Sequence, residues 1–514
     1  MKKIILFLIL GITLVFTGIG SAFETDKSNT AGVREPVMAG RFYPGDTRRL
    51  SEALKVYFKA AEPPVGGRPI AIISPHAGYV YSGQISADAF NQAAGYEYDL
   101  VVLLGTNHTM AGFSGVSLFS KGGYRTPLGT AKIDEKTTRE LFTEDKEIIF
   151  KEPLHRNEHS IEVQVPFVQW LFPKAKIVPA IVATSDTGVC SRFGKALAKV
   201  LKGRRALIVA SSDFSHYPGY EDAVRVDRTT LDAILTMDLA RVKSTLQHQI
   251  GQNVHNLSTC VCGEGAILTA LVAAKALGAT CGRLVSYANS GDALIGDRSR
   301  VVGYGAVSFF AGSNCTSETA DRSFPSEMTN KCVSPDQKEA LVCFARETIR
   351  QILEVGTIPL ARGFDPVLEK HRGAFVTLKK HGKLRGCMGH MAEDLPLCQA
   401  VGTMAIQAAF NDPRFPTVTL NELPDIKIEI SVLTPFQPVN QPEDIIVGRD
   451  GVLLRKSDRS AVFLPQVALE QGWNRDQMLD HLCKKAGLPT GSWKNGAQLF
   501  TFQAEVFSEL HVKD

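Results

Sequence analysis

Three short apolar runs, each closed by a polar stretch that carries a histidine, constrain this chain most. Ile70 to Ile73 is followed by Ser74-Pro75-His76, Leu100 to Leu104 by Gly105-Thr106-Asn107-His108, and Ala206 to Ala210 by Ser211-Ser212-Asp213-Phe214-Ser215-His216. Runs of four or five apolar residues bounded by turn signals read as fully buried strands. Helical spacing recurs between them, at 47–61, 82–94, 135–141, 162–171, 191–201, 227–234 and 262–277, with further strands at 176–182, 283–288 and 301–310. Alternating strands and helices predict an α/β domain, a mostly parallel sheet flanked by helices. In such sheets ligands bind beyond the carboxyl ends of the strands. Three histidines on that lip therefore predict one shared site.

A chain of 514 residues is too long for one core. The first domain is expected over residues 33–312. The polar, Ser- and Thr-containing stretch 313–333 reads as a linker, with Ser334 or Asp336 able to cap the helix that follows. Residues 334–514 read as a smaller α+β domain, with helices at 337–354, 397–410, 467–471 and 475–486. Its strands are expected at 373–379, 427–433, 451–455, 461–464 and 501–507. Lys and Arg number 57 against 53 Asp and Glu, a net charge of +4. A basic stripe of the kind that binds nucleic acid is not present in that balance, so no nucleic-acid partner is expected.

Residues 1–22 stand apart. Lys2 and Lys3 precede an apolar run that ends in Gly20-Ser21-Ala22. This is the layout of a signal peptide, with a membrane anchor as the alternative, and it predicts an exported protein of the periplasm or cell envelope. Export permits disulfides among the ten cysteines. Cys315 and Cys332 flank the linker and are expected to pair with each other or with Cys343.

His76, His108 and His216 are the first candidates for chemistry, with Asp213 three residues before His216. Cys262 joins them. It precedes Gly263 at the start of an apolar helix, where the helix N-terminus would favour the thiolate. Imidazole with thiolate suits iron, copper or zinc rather than magnesium or calcium. Glu158-His159-Ser160 is read as an N-terminal cap, Ser160 capping, with His159 turned into the site as a base or a ligand-orienting group. His155 is read as surface. In the second domain Cys387 lies between Gly386 and Gly389, read as a tight loop after a basic strand, and Arg414 is expected to pair with a carboxylate or bind an anion.

Residues 33–312 resemble the Memo family. The matching stretches run from Arg34-Glu35-Pro36 to Tyr43-Pro44-Gly45, then Pro75-His76-Ala77-Gly78-Tyr79, Leu104-Gly105-Thr106-Asn107-His108, Tyr124-Arg125-Thr126-Pro127-Leu128-Gly129, Glu158-His159-Ser160-Ile161-Glu162, Ser211-Ser212-Asp213-Phe214-Ser215-His216-Tyr217 and Cys262-Gly263. The resemblance implies a fold like that of class III extradiol dioxygenases, whose site holds non-haem iron. It implies metal ligands at His76, His108 and Cys262, and pocket residues with catalytic roles at His159, Asp213 and His216. It implies iron or copper ahead of zinc, and a small molecule or a peptide as substrate. Those dioxygenases use two histidines and a carboxylate. A thiolate in the third place argues against catechol cleavage and toward a redox role. A metal-dependent oxidoreductase, a metal- or peptide-binding module without turnover, and a zinc hydrolase remain open at this point. Residues 334–514 resemble the AMMECR family, through Gly373 to Leu378, Leu384-Arg385-Gly386-Cys387-Met388-Gly389, Asn411 to Pro416, Ile428 to Leu433 and Leu464-Pro465-Gln466-Val467 with Trp473. Fusions of the two families imply a separately encoded radical-SAM protein as partner. No CxxxCxxC cluster motif occurs in this chain.

Overall fold

The structure is a computed structural model, and it describes residues 32–312 and 333–509. The N-terminal domain runs β1 (Val33–Arg34), α1 (Thr47–Lys59), β2 (Pro69–Ser74), α2 (Tyr79–Asn91), β3 (Leu100–Gly105), β4 (Val116–Leu118), β5 (Gly123–Thr126), β6 (Gly129–Lys132) and α3 (Glu135–Glu144). It continues through α4 (Glu152–Arg156), α5 (Val165–Leu171), β7 (Lys176–Val182), α6 (Thr187–Leu201), β8 (Ala206–Ser211), α7 (Tyr220–Leu235), α8 (Leu239–Gly251), α9 (Glu264–Ala276), β9 (Cys281–Asn289) and β10 (Gly303–Phe310).

Seven strands form the main sheet in the order β4-β7-β3-β8-β2-β10-β9. The expected mostly parallel sheet is mixed. Its centre, β7-β3-β8-β2, is parallel. Its edges are antiparallel, because β4 folds back on β7, and β9 and β10 form one long antiparallel pair beside β2. The central strands are buried on both faces, as their continuous apolar runs require. Ala71, Ile73, Val102 and Leu104 feed the core under α6 to α9. Ile72, Val101 and Leu103 feed the opposite core, under α1, α2 and α5. The neighbours β3, β8 and β2 thus bring the ends that carry His108, Asp213 and His76 side by side.

The C-terminal domain opens with α10 (Pro335–Glu354), capped by Ser334, whose hydroxyl accepts from the Gln337 N–H. It continues with β11 (Ala374–Lys380), β12 (Lys383–His390), α11 (Leu397–Phe410), β13 (Ile426–Leu433), β14 (Gln437–Pro438), β15 (Gly451–Lys456), β16 (Arg459–Phe463), α12 (Pro465–Glu470), α13 (Arg475–Lys485), β17 (Gln498–Phe502) and β18 (Ala504–Ser508). Two four-stranded sheets result, β12-β11-β13-β18 and β14-β17-β15-β16. Two expectations are corrected here. The stretch around Cys387 is no tight loop but the middle of edge strand β12, paired in register with β11. Its glycines are needed for close approach: a Cβ on Gly386 would stand 2.2 Å from the Ala408 carbonyl oxygen, and one on Gly389 would meet the Phe375 ring at 2.1 Å. The closing strand is two strands, broken at Gln503.

The domains touch through a partly buried ion pair. Arg362 donates to both oxygens of Asp88 on α2, at 2.7 and 3.1 Å, and also to the Ala60 carbonyl. Asp88 is fully buried. Residues 1–22, and the 313–333 linker but for Val333, lie outside the described residues, as do Cys315 and Cys332. Cys343 is a free thiol, against the expected pairing, whereas Cys281 is disulfide-bonded. Among the described residues no helix is long and apolar enough to cross a membrane.

Candidate metal centre

His76, His108 and His159 meet at the lip of the sheet, with their ligand atoms within 4.8 Å of one another. The rings of His108 and His159 stack at 4.6 Å, and His76 stands edge-on to both. Each reaches this point from a different element. His76 follows β2, His108 follows β3, and His159 comes from the turn between α4 and a short 3-10 turn at Glu162–Gln164.

Hydrogen bonds assign the ring nitrogens. The Ser211 hydroxyl donates to the Ser160 carbonyl (2.6 Å) and accepts from Gln164 Nε2 (2.9 Å), so His76 Nδ1–H donates a hydrogen bond to it at 3.0 Å. Glu158 accepts from His108 Nδ1 at 3.0 Å and lies 3.3 Å from His159 Nδ1. Fixing Nδ1–H by an outer partner leaves Nε2 as the lone-pair nitrogen, the usual arrangement behind a metal-ligating histidine. Glu158 is buried and also accepts the backbone N–H groups of His108, His159 and Ser160. Burial works against its charge, but the bonds from His108 and the pull of His159 win and hold the carboxyl at about 2.

Cys262 Sγ lies 3.1 Å from His76 Nε2 and accepts from the Asp213 N–H at 3.2 Å. Asp213 in turn accepts the His76 N–H at 2.7 Å. Cys262 and Gly263 precede α9 rather than opening it. The expected thiolate stabilisation is corrected: burial, and then the Asp213 carboxylate, push the Cys262 thiol well above its ordinary range. A cation in the site would reverse that logic, since a coordinating thiol is deprotonated. Gly263 is tightly held, because a Cβ there would stand 2.6 Å from the Ser211 carbonyl oxygen.

Burial, then the neighbouring imidazoles, lower His76 well below the usual histidine range. For His108 burial opposes a charge, yet Glu158 and Asp213 outweigh it and raise the pKa. Burial takes His159 and His216 to about 4 and Asp213 up to about 7. His216 Nε2 is buried with no hydrogen-bond partner. The next residue, Tyr217, has φ of 77°, a left-handed backbone that a tyrosine seldom adopts.

Two sequence readings of this region are corrected. His155 is not surface but fully buried, between the Ser117 and Tyr124 hydroxyls, each 3.0 Å away. Ser160 caps no helix; its hydroxyl joins the Thr106 N–H and C=O across the sheet lip. Sequence reasoning also missed what holds the turn. Arg34 pairs with buried Glu162 at 2.6 Å and donates to the carbonyls of His155 and Glu158, each at 2.7 Å. Charged residues in apolar surroundings, Arg34 before Pro36 and Glu162 before a buried helix, were the available signal.

The family described as Memo-like protein matches residues 34–308, more than half of the chain. The chain belongs to the Memo family. A MEMO1 family protein of Methanocaldococcus jannaschii is 38% identical over 292 residues, covering 54% of this chain and 98% of that protein. One of Nitrosopumilus maritimus is 36% identical over 285 residues, covering 54% of this chain and 99% of that protein. These Memo relatives therefore correspond to the N-terminal domain and to nearly their own full length. Residues 342–507 match the AMMECR1 family and form an AMMECR1 domain. A crystal structure of an uncharacterized protein from Pyrococcus horikoshii is similar over 34% of this chain and 91% of that chain, at 37% identity and a TM-score of 0.32.

Proposed function

We propose that the Memo domain holds a transition metal, iron or copper ahead of zinc, through His76, His108 and Cys262, with His159 as a further imidazole at the same centre. On this reading the protein is a metal-dependent oxidoreductase acting on a small molecule or a peptide. One observation carries it: three imidazoles converge within 4.8 Å, two of them with Nδ1 bonded to Ser211 and Glu158, and a sulfur lies 3.1 Å from one of them. That donor set fits iron, copper or zinc and suits neither magnesium nor calcium. The carboxylates nearby are already engaged, Glu158 with the imidazoles and Asp213 with the His76 N–H. When bound, such an ion supplies Lewis acidity and, for iron or copper, one-electron chemistry.

The chain's own residues divide the remaining work. Glu158, Ser211 and Gln164 orient the imidazoles. Asp213 and His216 are the groups able to hold or move a proton, His216 at Nε2, which has no partner, and Asp213 at its carboxylate, whose Oδ1 accepts the His76 N–H. The likeness of the family to class III extradiol dioxygenases supports redox chemistry, while sulfur in place of the carboxylate argues against ring opening of catechols. A second reading is a zinc hydrolase, with Asp213 as base where all three imidazoles hold the zinc, a catalytic zinc set, or with His159 as base where Cys262 takes the third place. Binding without turnover is the third.

The deciding experiment is elemental analysis of protein purified without oxygen, beside His76→Ala, His108→Ala and Cys262→Ala, followed by oxygen uptake with phenols and thiols. About one iron or copper per chain, lost in all three variants, together with turnover, supports the oxidoreductase. Zinc and oxygen-independent hydrolysis would replace it with the second reading, and metal without turnover with the third. We further propose export to the periplasm or cell envelope, supported by the Lys2-Lys3 apolar leader and the disulfide at Cys281. A radical-SAM partner rests on the domain fusion.

A further inference from the structure

The loop that carries Asp213 and His216 does not stand by itself. It is laced to the segment 289–303, which joins β9 to β10. Phe214 N–H donates to the Gly303 carbonyl (2.8 Å), Tyr217 N–H to Val301 (2.6 Å) and Tyr220 N–H to Arg298 (3.0 Å), while Gly303 and Val301 donate back to Ser215 and Pro218. His216 forms a β-bridge with Val302, and Val302 is tied on its other side to Ser290 by two bonds. The AMMECR1 domain grips this same segment from outside. Gln399 on α11 donates from Nε2 to the Gly291 carbonyl at 2.7 Å and is itself nearly buried. Leu294 is buried against Gly402, where a Cβ would stand 2.7 Å from both Leu294 and Phe344. Arg362, on Asp88, pins the domain at a second point. From Gln399 to His216 the path is therefore Gly291, Ser290 and Val302, entered by one side-chain bond and continued along the backbone and the two Ser290–Val302 bonds.

We propose that the AMMECR1 domain positions the Asp213–Tyr217 loop of the Memo site, with Gln399, Gly402 and Arg362 as its positioning residues. The inference deepens the reading of that site as a metal centre, but its main test needs no metal. A loop held by hydrogen bonds to a segment that is clamped from outside opens less often than the same loop with the clamp released, and amide exchange reads that opening. The tyrosine at positive φ makes the loop the strained partner, so slack in 289–303 relaxes it first.

The experiment uses the full chain and hydrogen–deuterium exchange, with wild type beside Gly402→Leu, which wedges α11 from Leu294, Gln399→Ala, Arg362→Met and Arg362→Lys. Exchange at 213–220 rises by about tenfold in Gly402→Leu and Arg362→Met and by less in Gln399→Ala, while β3 and β7 exchange as in wild type. Arg362→Lys, which keeps the charge on Asp88, restores slow exchange. If Gly402→Leu does not fold, Gln399→Ala and Arg362→Met carry the test. Unchanged exchange at 213–220 in the folded variants overturns the proposal, as does a rise of equal size in β3 and β7, which is global loosening. Cobalt(II) titration is the second readout, with affinity falling in the variants whose loop opens. If wild type binds neither cobalt, iron nor copper while the exchange differences persist, the metal reading fails and the positioning proposal stands.

Discussion

Replacing Glu158 by Gln is the sharpest probe of how the imidazoles are held. The carboxylate Oε1 accepts three hydrogen bonds, from His108 Nδ1, His159 N–H and Ser160 N–H, and Oε2 accepts one, from His108 N–H. An amide has one acceptor oxygen and one NH2. With its oxygen in the Oε1 position it keeps three of the four bonds, but its NH2 then faces the His108 N–H, donor against donor. Turned the other way it keeps one bond and confronts three donors. The first arrangement is cheaper, and it leaves one buried N–H unpaired, at a cost of about 1–3 kcal/mol. It also removes the charge that makes His108 Nε2 a strong donor. Neutralising such an outer partner lowers metal affinity by about 10- to 100-fold, while the unpaired N–H, present with and without metal, is a separate cost to folding. Isothermal titration with iron(II) or copper, alongside thermal melting, measures both effects. A Glu158→Gln protein that binds metal within about threefold of wild type and melts at the same temperature would refute the reasoning.

The other predictions concern what surrounds the centre. Arg34→Met leaves Glu162 as a buried unpaired carboxylate and should cost about 3–5 kcal/mol in chemical denaturation of the Memo domain, part of it recovered in Arg34→Met/Glu162→Gln; a loss near zero would mean the pair is not buried as described. Gly263→Ala forces Cys262 and β8 apart, because the new Cβ meets a backbone oxygen at 2.6 Å, and it should abolish the metal site without unfolding the domain; full metal occupancy in the variant contradicts this. Burial, and then Arg34, holds His155 at about 3. The folded state keeps it neutral while the unfolded chain takes a proton near pH 6.5, so its stabilisation is present above pH 6.5 and is lost as pH falls toward 3. Between those limits, wild type should lose up to about 1.4 kcal/mol per pH unit more than His155→Gln, read from denaturation midpoints at stepped pH; parallel pH profiles would show that His155 is not held neutral.

How far the sequence could be read depended on how local each signal was. The strands ending at His76, His108 and Asp213 were legible because a strand buried on both faces is a continuous apolar run, and Gly105 and Pro75 mark where it stops. Their adjacency followed from the lip argument, without any knowledge of strand order. The antiparallel edges were not legible, since nothing local distinguishes β10 from a parallel strand. β12 was missed because glycines disfavour strands, and the reason for Gly386 and Gly389, the closeness of Ala408 and Phe375, is tertiary. The same holds for His155. Its burial comes from Tyr124 and Ser117, 31 and 38 residues away in sequence. The raised Cys262 thiol likewise reflects Asp213, which no helix rule includes.

The Asp88–Arg362 contact also says something about the history a fused chain allows. The carboxylate is supplied by one gene segment and its counter-charge by the other. Once such a pair closes between the domains, cutting the chain into two freely diffusing proteins takes the cation from Asp88 and opens both groups to water, so fission gives up the contact unless the two products stay bound or position 88 changes first. Memo proteins that exist as single domains, like those of Methanocaldococcus jannaschii and Nitrosopumilus maritimus, should therefore either carry a neutral residue at the position of Asp88 or supply a cation from within their own domain. The acid at one position and the arginine at the other should appear and vanish together across sequences. Two-domain chains that break this pairing would mark the lineages in which the domains have come apart.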